Sequence, residues 1–278
     1  TLKASGEIRW RVISKENVTT CYGWSANARI ADPADPRKIF EWLPEFVFDD
    51  KGNCTHYIYR QEDAVGFDPA AACHRNRWKN GAITYTNRYL EKVLYGNKTP
   101  FRAFGDAFPL ESDYLFQTVL DYGTLQAGDP VDTVRDWDFR PDAFSVYRPG
   151  FEIRTTRLCK RILLFHVFDE LANRPDGSDK KTLVKSLDFE YNPVDEEGFC
   201  FLTAVSRQGY IRKADGSWSS GTMPAMQFDY SKHHWNREVR SIAPEDAVHA
   251  PEGIHGGRYH FTDLFNEGLN GILTEQAN

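Results

Sequence analysis

The sequence is poor in several features that mark common protein classes. It has two Met and no apolar run of about 18 residues, so we expect no membrane-spanning helix. Basic residues are outnumbered, with 34 Lys and Arg against 40 Asp and Glu, which gives a net charge of -6. A nucleic-acid-binding domain carries a basic footprint, so we expect no nucleic-acid partner.

Motifs of catalysis and cofactor binding are missing as well. The chain has no Gly-x-Ser-x-Gly, Gly-x-Gly-x-x-Gly, Walker A or His-Glu-x-x-His motif. Its five Cys are far apart without a Cys-x-x-Cys pair, which predicts buried reduced thiols and neither a zinc ribbon nor a redox pair. We therefore predict no enzyme activity, no cofactor, and no catalytic, cofactor-binding or metal-binding residue.

The composition that remains favours strands. Hydrophobic residues make up 41% of the chain and aromatic residues 14%, enough to bury a core rich in Phe and Tyr. Alternating segments predict antiparallel hairpins at 7–22 and 39–60, the second turning at Asp49–Asn53. Further strands are predicted at 89–95, 115–122, 199–212 and 226–230. The fold class is therefore mainly β, with strand content above the roughly 20–25% of average domains.

The longest stretch with strand character is 143–168. From residue 151 to 156, Phe151 and Ile153 alternate with Glu152 and Arg154, which is the period of a half-buried strand. We expect the apolar side to be buried and the two charged residues to form an ion pair with a neighbouring strand.

The second half of that stretch is almost continuously apolar. Residues 161–168 suit either a strand covered on both faces or a short buried helix. We favour a strand that pairs antiparallel with 183–191, and we expect Phe165 to be buried.

Other segments divide the chain. We predict a loop at 29–36, where two Asp-Pro steps occur, and a helix near 69–79 that starts after Asp68. The domains are predicted as a β-sheet domain at 1–232, a linker at 233–258, and a new element at 259–278. The first residues carry no signal-peptide pattern, and we expect the chain to be a middle piece of a longer protein.

The C-terminal stretch resembles one loop of an FG-GAP or VCBS β-propeller blade, whose carboxylates bind Ca²⁺. Asp263 fits the first ligand position and Gly268 the conserved glycine, but Phe265 stands where a ligand is needed. A phenyl ring cannot coordinate a hard cation. We therefore predict the start of a propeller blade without the metal.

Two further sets of residues are candidates for a functional site. Five histidines in the last fifty residues lack zinc-site spacing, and we interpret them as loop residues: His233, His234, His249, His255 and His260. The seven Trp and many carboxylates raise an alternative function, a β-rich carbohydrate-binding or glycan-processing module.

Seven stretches in order resemble one family: WRVISKENVTTCYG (10–23), ARIADPADPRKIFEWL (28–43), DDKGNCTHYIY (49–59), HRNR with TNRYLEKVLYGNKTP (74–77 and 86–100), the central segment that contains SVYRPGFEIRTTRLCKRILLFHVF (143–168), LVKSLDFEY (183–191) and FTDLFNEGLNGIL (261–273). Together they are similar to the SpvB-type region of the B subunits of bacterial toxin complexes. Asp49–Asn53 also resembles the turn of one YD (RHS) repeat.

The resemblance implies a function that the motifs do not. In that family a B subunit and an RHS-repeat C subunit form a secreted β-sheet shell around a toxic effector, and a propeller docks on a channel-forming A subunit. It implies that this chain is a non-catalytic, shell-like wall of such a B subunit, made and assembled in the cytoplasm and then secreted. Its implied partners are the RHS-repeat C subunit and the channel-forming A subunit.

Overall fold

The computed structural model describes residues 7–102, 104–123, 136–168, 181–195, 198–213, 217–231, 236–241, 243, 257–265 and 270–274. The chain divides into two compact units, Thr1–Lys232 and His233–Asn278. Strands make up 50% of the residues that the structure describes, which confirms a mainly β protein. In the described ranges, the helical segments are three single 3-10 turns: Ala26–Ala28, Ala72–His74 and Glu111–Asp113.

The strands follow one another in short steps along the chain. They are β1 (Trp10–Ile13), β2 (Thr19–Tyr22), β3 (Arg29–Asp32), β4 (Asp35–Trp42), β5 (Pro44–Phe48), β6 (Cys54–Gln61), β7 (Trp78–Lys79), β8 (Ala82–Ile83), β9 (Arg88–Asn97), β10 (Tyr114–Asp121), β11 (Phe144–Val146), β12 (Ile153–Thr155), β13 (Arg161–Val167), β14 (Lys181–Tyr191), β15 (Leu202–Arg212), β16 (Trp218–Thr222), β17 (Met226–Gln227), β18 (Tyr259–Thr262) and β19 (Gly271–Thr274).

Eleven of these strands form one large antiparallel sheet in the first unit. Its order is β1-β2-β5-β6-β9-β10-β13-β14-β15-β16, and β17 also pairs with β15. Three small hairpins, β3-β4, β7-β8 and β11-β12, are inserted between consecutive strands of the sheet. From β1 to β16, each strand of the sheet pairs with the sheet strand that precedes it along the chain, so this part is one meander, whereas β17 pairs with β15.

The hairpin between β5 and β6 confirms the turn predicted at Asp49–Asn53. The Asp49 carboxylate accepts hydrogen bonds from the backbone N–H of Lys51 at 3.0 Å and of Asn53 at 2.9 Å. Gly52 has a φ of 93°, and a Cβ there would lie 2.6 Å from the Pro100 ring. The turn needs Asp49 as an acceptor for its N–H groups, and it needs glycine at position 52 for the positive φ and the close contact with Pro100.

In the structure, the buried face of residues 151–156 is the opposite of the predicted one. Phe151 and Ile153 are half-buried, whereas Arg154 is 8% exposed and Thr156 is fully buried. Only Ile153–Thr155 forms a strand, which pairs with β11 outside the large sheet. The prediction was wrong because a two-residue period identifies the two faces of a strand but not which face is buried. Here the buried face is the polar one, whose side chains find hydrogen-bond partners.

The second half of the central stretch is as predicted. Residues 161–167 form β13, which pairs antiparallel with β14. Phe165 is 3% exposed and packs in a buried cluster with Val119, Leu163 and Leu183. The register places these four side chains on one face of β10, β13 and β14.

Three local predictions are corrected. The helix near 69–79 is a single 3-10 turn at Ala72–His74, because Asp68 caps only a tight turn and β7 begins at Trp78. The loop predicted at 29–36 contains β3 and the start of β4, joined by a turn in which Asp32 accepts the Ala34 N–H at 2.9 Å.

The strand predicted at 39–48 is broken at Leu43. The backbone C=O and N–H of Leu43 bond to Gly23 and Ala28 instead of a neighbouring strand of the sheet. The break separates β4, in a small hairpin, from β5, in the large sheet.

The second unit contains one described hairpin. Strands β18 and β19 pair antiparallel, with Phe261 opposite Ile272. Most of the predicted linker at 233–258 lies outside the described residues.

We predict that Phe165→Ala lowers the free energy of unfolding by about 3–5 kcal/mol, because it leaves a cavity in the central cluster. Ile211→Ala is the matched control, since Ile211 on β15 is 70% exposed and we expect a change within about 0.5 kcal/mol. Urea denaturation followed by circular dichroism measures both. Equal losses in the two variants would show that the face of β13 is not core.

Candidate functional site

A buried polar cluster joins the end of β6 to the segment that follows β12. Glu62, just after β6, accepts hydrogen bonds from the hydroxyls of Tyr89 and Thr156, each at 2.6 Å. The Arg157 guanidinium lies against the same carboxylate, with Nε 3.3 Å from Oε1. Both charged side chains are about 1% exposed, so this is a fully buried ion pair.

Arg157 is held by more than its ion pair with Glu62. Its terminal nitrogens donate to the Asp63 carboxylate at 2.5 Å, to the Val65 carbonyl at 3.0 Å and to the Trp137 carbonyl. The Trp137 ring packs against Tyr89 and Tyr122. One guanidinium thereby links three separate stretches of the chain, at 62–65, at Trp137 and at Arg157 itself.

Burial is the dominant electrostatic effect in this cluster. It raises the pKa of Glu62 above its usual range, and the hydrogen bonds from Thr156 and Tyr89 and the charge of Arg157 offset only part of the rise. Burial also raises the pKa of Tyr89 well above its ordinary value, so its hydroxyl stays a donor to Glu62. These hydrogen bonds and the ion pair connect the end of β6 to the segment after β12.

A small cleft of about 260 Å³ lies between the turn at Ala72–His74 and the β11-β12 hairpin. It is lined by Ala72, Cys73, Asn76, Arg77, Tyr147 and Glu152. Arg77 Nε pairs with Glu152 Oε1 at 2.7 Å, and Ser145 Oγ donates to the same oxygen at 2.5 Å. Burial acts to raise the pKa of Glu152, but these hydrogen bonds and one from Tyr147 outweigh it and lower the pKa. A carboxylate that is ionised and already accepts these hydrogen bonds is unsuited to act as a general acid.

Glu152 and Arg154 were each predicted to pair with a charge on a neighbouring strand, but the structure gives them other partners. The partner of Glu152 is Arg77, from the loop before β7 and not from a neighbouring strand. Arg154 donates to Ser145, its partner across the β11-β12 hairpin, at 2.8 Å and lies 3.8 Å from Glu152. Sequence spacing identified the charged face but could not identify a partner 75 residues away.

The other candidate residues do not come together into a site in the described part of the chain. His260 is exposed on β18, and the other four weighed histidines lie outside the described residues: His233, His234, His249 and His255. Phe265 is 82% exposed, and Gly268 also lies outside the described residues. In the described part of the chain, no three His, Cys, Asp or Glu side chains gather as metal ligands.

The cysteines are free thiols, but not all are buried. Cys21 and Cys54 are buried, Cys159 and Cys200 are partly buried, and Cys73 is exposed at the cleft. Burial raises the pKa of the Cys21 thiol to about 11, which makes it unreactive at neutral pH. Cys73 therefore departs from the prediction of five buried thiols.

The tryptophans in the described part of the chain do not assemble into one binding platform. Trp137 is buried, and Trp24 meets Phe104 and Phe108 edge to face. Trp10 and Trp78 are the more exposed and lie on separate hairpins, and Trp10 meets Trp42 edge to face at 5.9 Å. The carbohydrate-binding alternative thus gains no specific support from their placement.

The large sheet has one face that is largely buried and one that is half-open. On the half-open face, Tyr95, Phe116 and His166 are neighbours across β9, β10 and β13, and Phe168 packs against them. We call these four residues the aromatic stripe. Their rings are in contact and each is only partly buried. At one edge of the sheet, β1 is exposed along its whole length.

Similar solved structures include parts of toxin complexes and a domain of an effector protein. The crystal structure of TcdB2-TccC3-Cdc42 is similar with a TM-score of 0.70 and 30% identity, over 99% of this chain and 12% of that one. The Photorhabdus luminescens Tc holotoxin pore matches over 97% of this chain and 12% of that one, with a TM-score of 0.70 and 29% identity. The N-terminal domain of the effector protein SpvB from Salmonella typhimurium strain LT2 matches over 75% of this chain and 63% of that one, with a TM-score of 0.63 and 32% identity.

Sequence comparison gives the family. The family model described as Salmonella virulence plasmid 65kDa B protein, SpvB, matches residues 1–168. The mono(ADP-ribosyl)transferase SpvB of Salmonella typhimurium is 32% identical over 215 residues, which cover 74% of this chain and 34% of the relative. The chain therefore belongs to the SpvB family. It spans about a third of the length of the curated relatives it matches.

Among the described residues, no helix combines the length and the apolar character needed to cross a bilayer.

We predict that Arg157→Met lowers the free energy of unfolding by about 3–5 kcal/mol, because it leaves the Glu62 carboxylate buried without its cation. Adding Glu62→Gln to this variant should recover part of the loss, because the unpaired charge is then removed.

The control is Arg37→Met, which breaks an ion pair with Asp35 on the surface, where Arg37 is 89% exposed. Denaturant titration of all four proteins separates the cases. If Arg157→Met is no worse than Arg37→Met, the buried cluster does not hold the segments together.

Proposed function

We propose that this chain is a non-catalytic part of the wall of a toxin-complex B subunit, which helps to enclose and deliver a toxic effector. The observation that carries the proposal is the single eleven-stranded antiparallel sheet, whose likeness to TcdB2-TccC3-Cdc42 extends over 99% of the chain. Because this chain corresponds to only 12% of that structure, it supplies one section of a wall.

The form of the sheet supports a wall. The eleven-stranded sheet buries the face that carries Leu163, Phe165 and Leu183 and leaves the aromatic stripe half-open on the other. Strand β1 is the last strand at one end of the described sheet, and isolated proteins usually protect such an edge. A section of a larger shell can use both features for contacts with its neighbours.

The absence of catalysis is part of the proposal. The relative named as a mono(ADP-ribosyl)transferase is about three times as long as the matched segment, and we assign transfer chemistry to the rest of such proteins. In support, the carboxylates of the described polar sites, Glu62 and Glu152, are both bound to arginines.

Partners and location follow from the same likeness. The proposed partners are an RHS-repeat C subunit and a channel-forming A subunit, by analogy with TcdB2-TccC3 and the Tc holotoxin pore. We propose that the assembly is secreted. The β18-β19 hairpin is proposed as the start of a propeller blade that follows the wall.

Co-expression with an RHS-repeat C subunit tests the proposal. We expect the two chains to elute together in size-exclusion chromatography and the effector region to resist protease. Phe116→Lys, in the aromatic stripe, should weaken co-elution, whereas Leu110→Lys, at an exposed loop residue, should not. The purified chain should not consume NAD⁺.

Either of two results would overturn the proposal. One is separate elution of the two chains, with the effector digested as fast as when it is alone. The other is NAD⁺ consumption by the purified chain, which would contradict the non-catalytic role even if the chains elute together.

The C-terminal loop gives a separate prediction, that it binds no calcium. A working site would raise stability by RT ln(1 + [L]/Kd), about 2.7 kcal/mol at a hundredfold excess of calcium over Kd. We expect equal melting temperatures in millimolar calcium and in chelator. A shift of several degrees that Asp263→Ala abolishes would establish a calcium site in the blade.

A further inference from the structure

Large apolar side chains are exposed on the half-open face of the large sheet, at the end away from β1. The register places Phe189, Val205 and Met226 in one row across β14, β15 and β17. Leu187 and Ile211 lie on the same face of β14 and β15. The exposed fraction is 38% for Leu187, 66% for Met226 and 70% for Ile211. We call these five residues the apolar patch, and an exposed apolar surface of this kind is typical of an interaction site.

Two cations lie beside the apolar patch. Arg207 is opposite Leu187, and Lys185 precedes Leu187 by two residues, so both point to the patch side of the sheet. Both are exposed, and within the described ranges neither side chain forms an ion pair. The carboxylates of β14, Asp188 and Glu190, alternate with the patch residues and lie on the other face. The surface is therefore complementary to a partner that carries both apolar and acidic side chains.

A pair of glycines leaves a gap next to the cations. Gly209 of β15 pairs with Gly221 of β16, and Gly209 lies between Arg207 and Ile211 on the patch side. Neither glycine has a φ in the left-handed region, and a Cβ built on either would meet no atom within 4 Å. Nothing within the described chain thus requires glycine at these positions, although glycine weakens a strand. Such a glycine fits a place where another backbone approaches closely.

The backbone of the sheet restricts what can cover this face. The N–H and C=O groups of β14 and β15 are bonded to neighbouring strands, so the face offers side chains but no backbone partners. An extended segment lying flat on it would bury its own backbone polar groups unpaired, which is costly. An α-helix pairs these groups internally, and a helix packed on a sheet face is a common layer arrangement.

We propose that the apolar patch is the docking surface for an amphipathic α-helix of a partner chain. The apolar side of that helix contacts the patch, and its acidic side chains pair with Lys185 and Arg207. The gap at Gly209 and Gly221 lets the helix come close to the sheet. The inference goes beyond the proposed wall function, because it names the segment that covers this face and does not require a shell.

Fluorescence anisotropy with synthetic helices and the purified chain tests the proposal. The acidic probe is a labelled peptide of about 18 residues, with Leu along one face and Glu on both sides of it. One comparison probe has Lys in place of Glu, and another has prolines that break the helix. We expect the acidic probe to bind about tenfold or more tightly than either. In the double variant Lys185→Glu with Arg207→Glu, the preference should reverse to the Lys probe.

Gly209→Val fills the gap and separates docking from folding. Because Val favours strands more than Gly does, the melting temperature should stay the same or rise. Binding of the acidic probe should nevertheless weaken by about tenfold, because the side chain keeps the helix away from the sheet. The matched control is Ser220→Val, an exposed position on the other side of β16, where binding should not change.

Several results would overturn the proposal. One is that no probe binds, or that the acidic and Lys probes bind the unmodified chain equally. Another is that the proline-broken probe binds as tightly as the acidic helix, which would exclude a helical occupant. A third is full affinity in Gly209→Val. Should Gly209→Val lower the melting temperature, Gly221→Val fills the same gap from β16 and its affinity decides.

Discussion

The buried Arg157 guanidinium is the contact on which the architecture around the sheet depends. It binds the carboxylates of Glu62 and Asp63 and three backbone carbonyls, and so joins the end of β6 to the segment between β12 and β13. A buried cation of this kind is costly unless every donor is matched. Because its partners come from positions 20 and more than 90 residues away, the cluster forms only when the chain from β6 to β12 has brought these stretches together.

This constraint explains why the small hairpins do not disturb the sheet. The β11-β12 hairpin is anchored by polar contacts, Arg77 with Glu152 and Asn87 with the Arg154 carbonyl, and not by a shared apolar core. The large sheet keeps its own apolar face around Leu163, Phe165 and Leu183. Polar contacts thus hold the β11-β12 hairpin, whereas apolar packing holds β13 and β14 in the large sheet.

Much of the fold could be predicted from local patterns. The β5-β6 turn follows from Asp49, Gly52 and Asn53, and the pairing of β13 with β14 follows from two apolar runs separated by a polar connection. The face of 151–156 could not be predicted, because Arg154 and Thr156 are buried by partners distant in sequence. Nor could the polar cluster, since Glu62 and Arg157 look like ordinary surface charges until the fold brings them together.

The same limit applies to His56, which lies in a strand that the sequence predicts correctly. Its alternation with Tyr57 and Ile58 gives no sign that the imidazole stacks on Phe46 of the neighbouring strand, or that Phe46 also stacks on Phe108 from the connection between β9 and β10. The buried polar cluster around Arg157 pairs its charges, whereas the aromatic cluster around Phe46 is held by stacked rings. The sheet thereby combines a section held by matched charges with a section held by aromatic packing, and both depend on residues that are distant in the sequence.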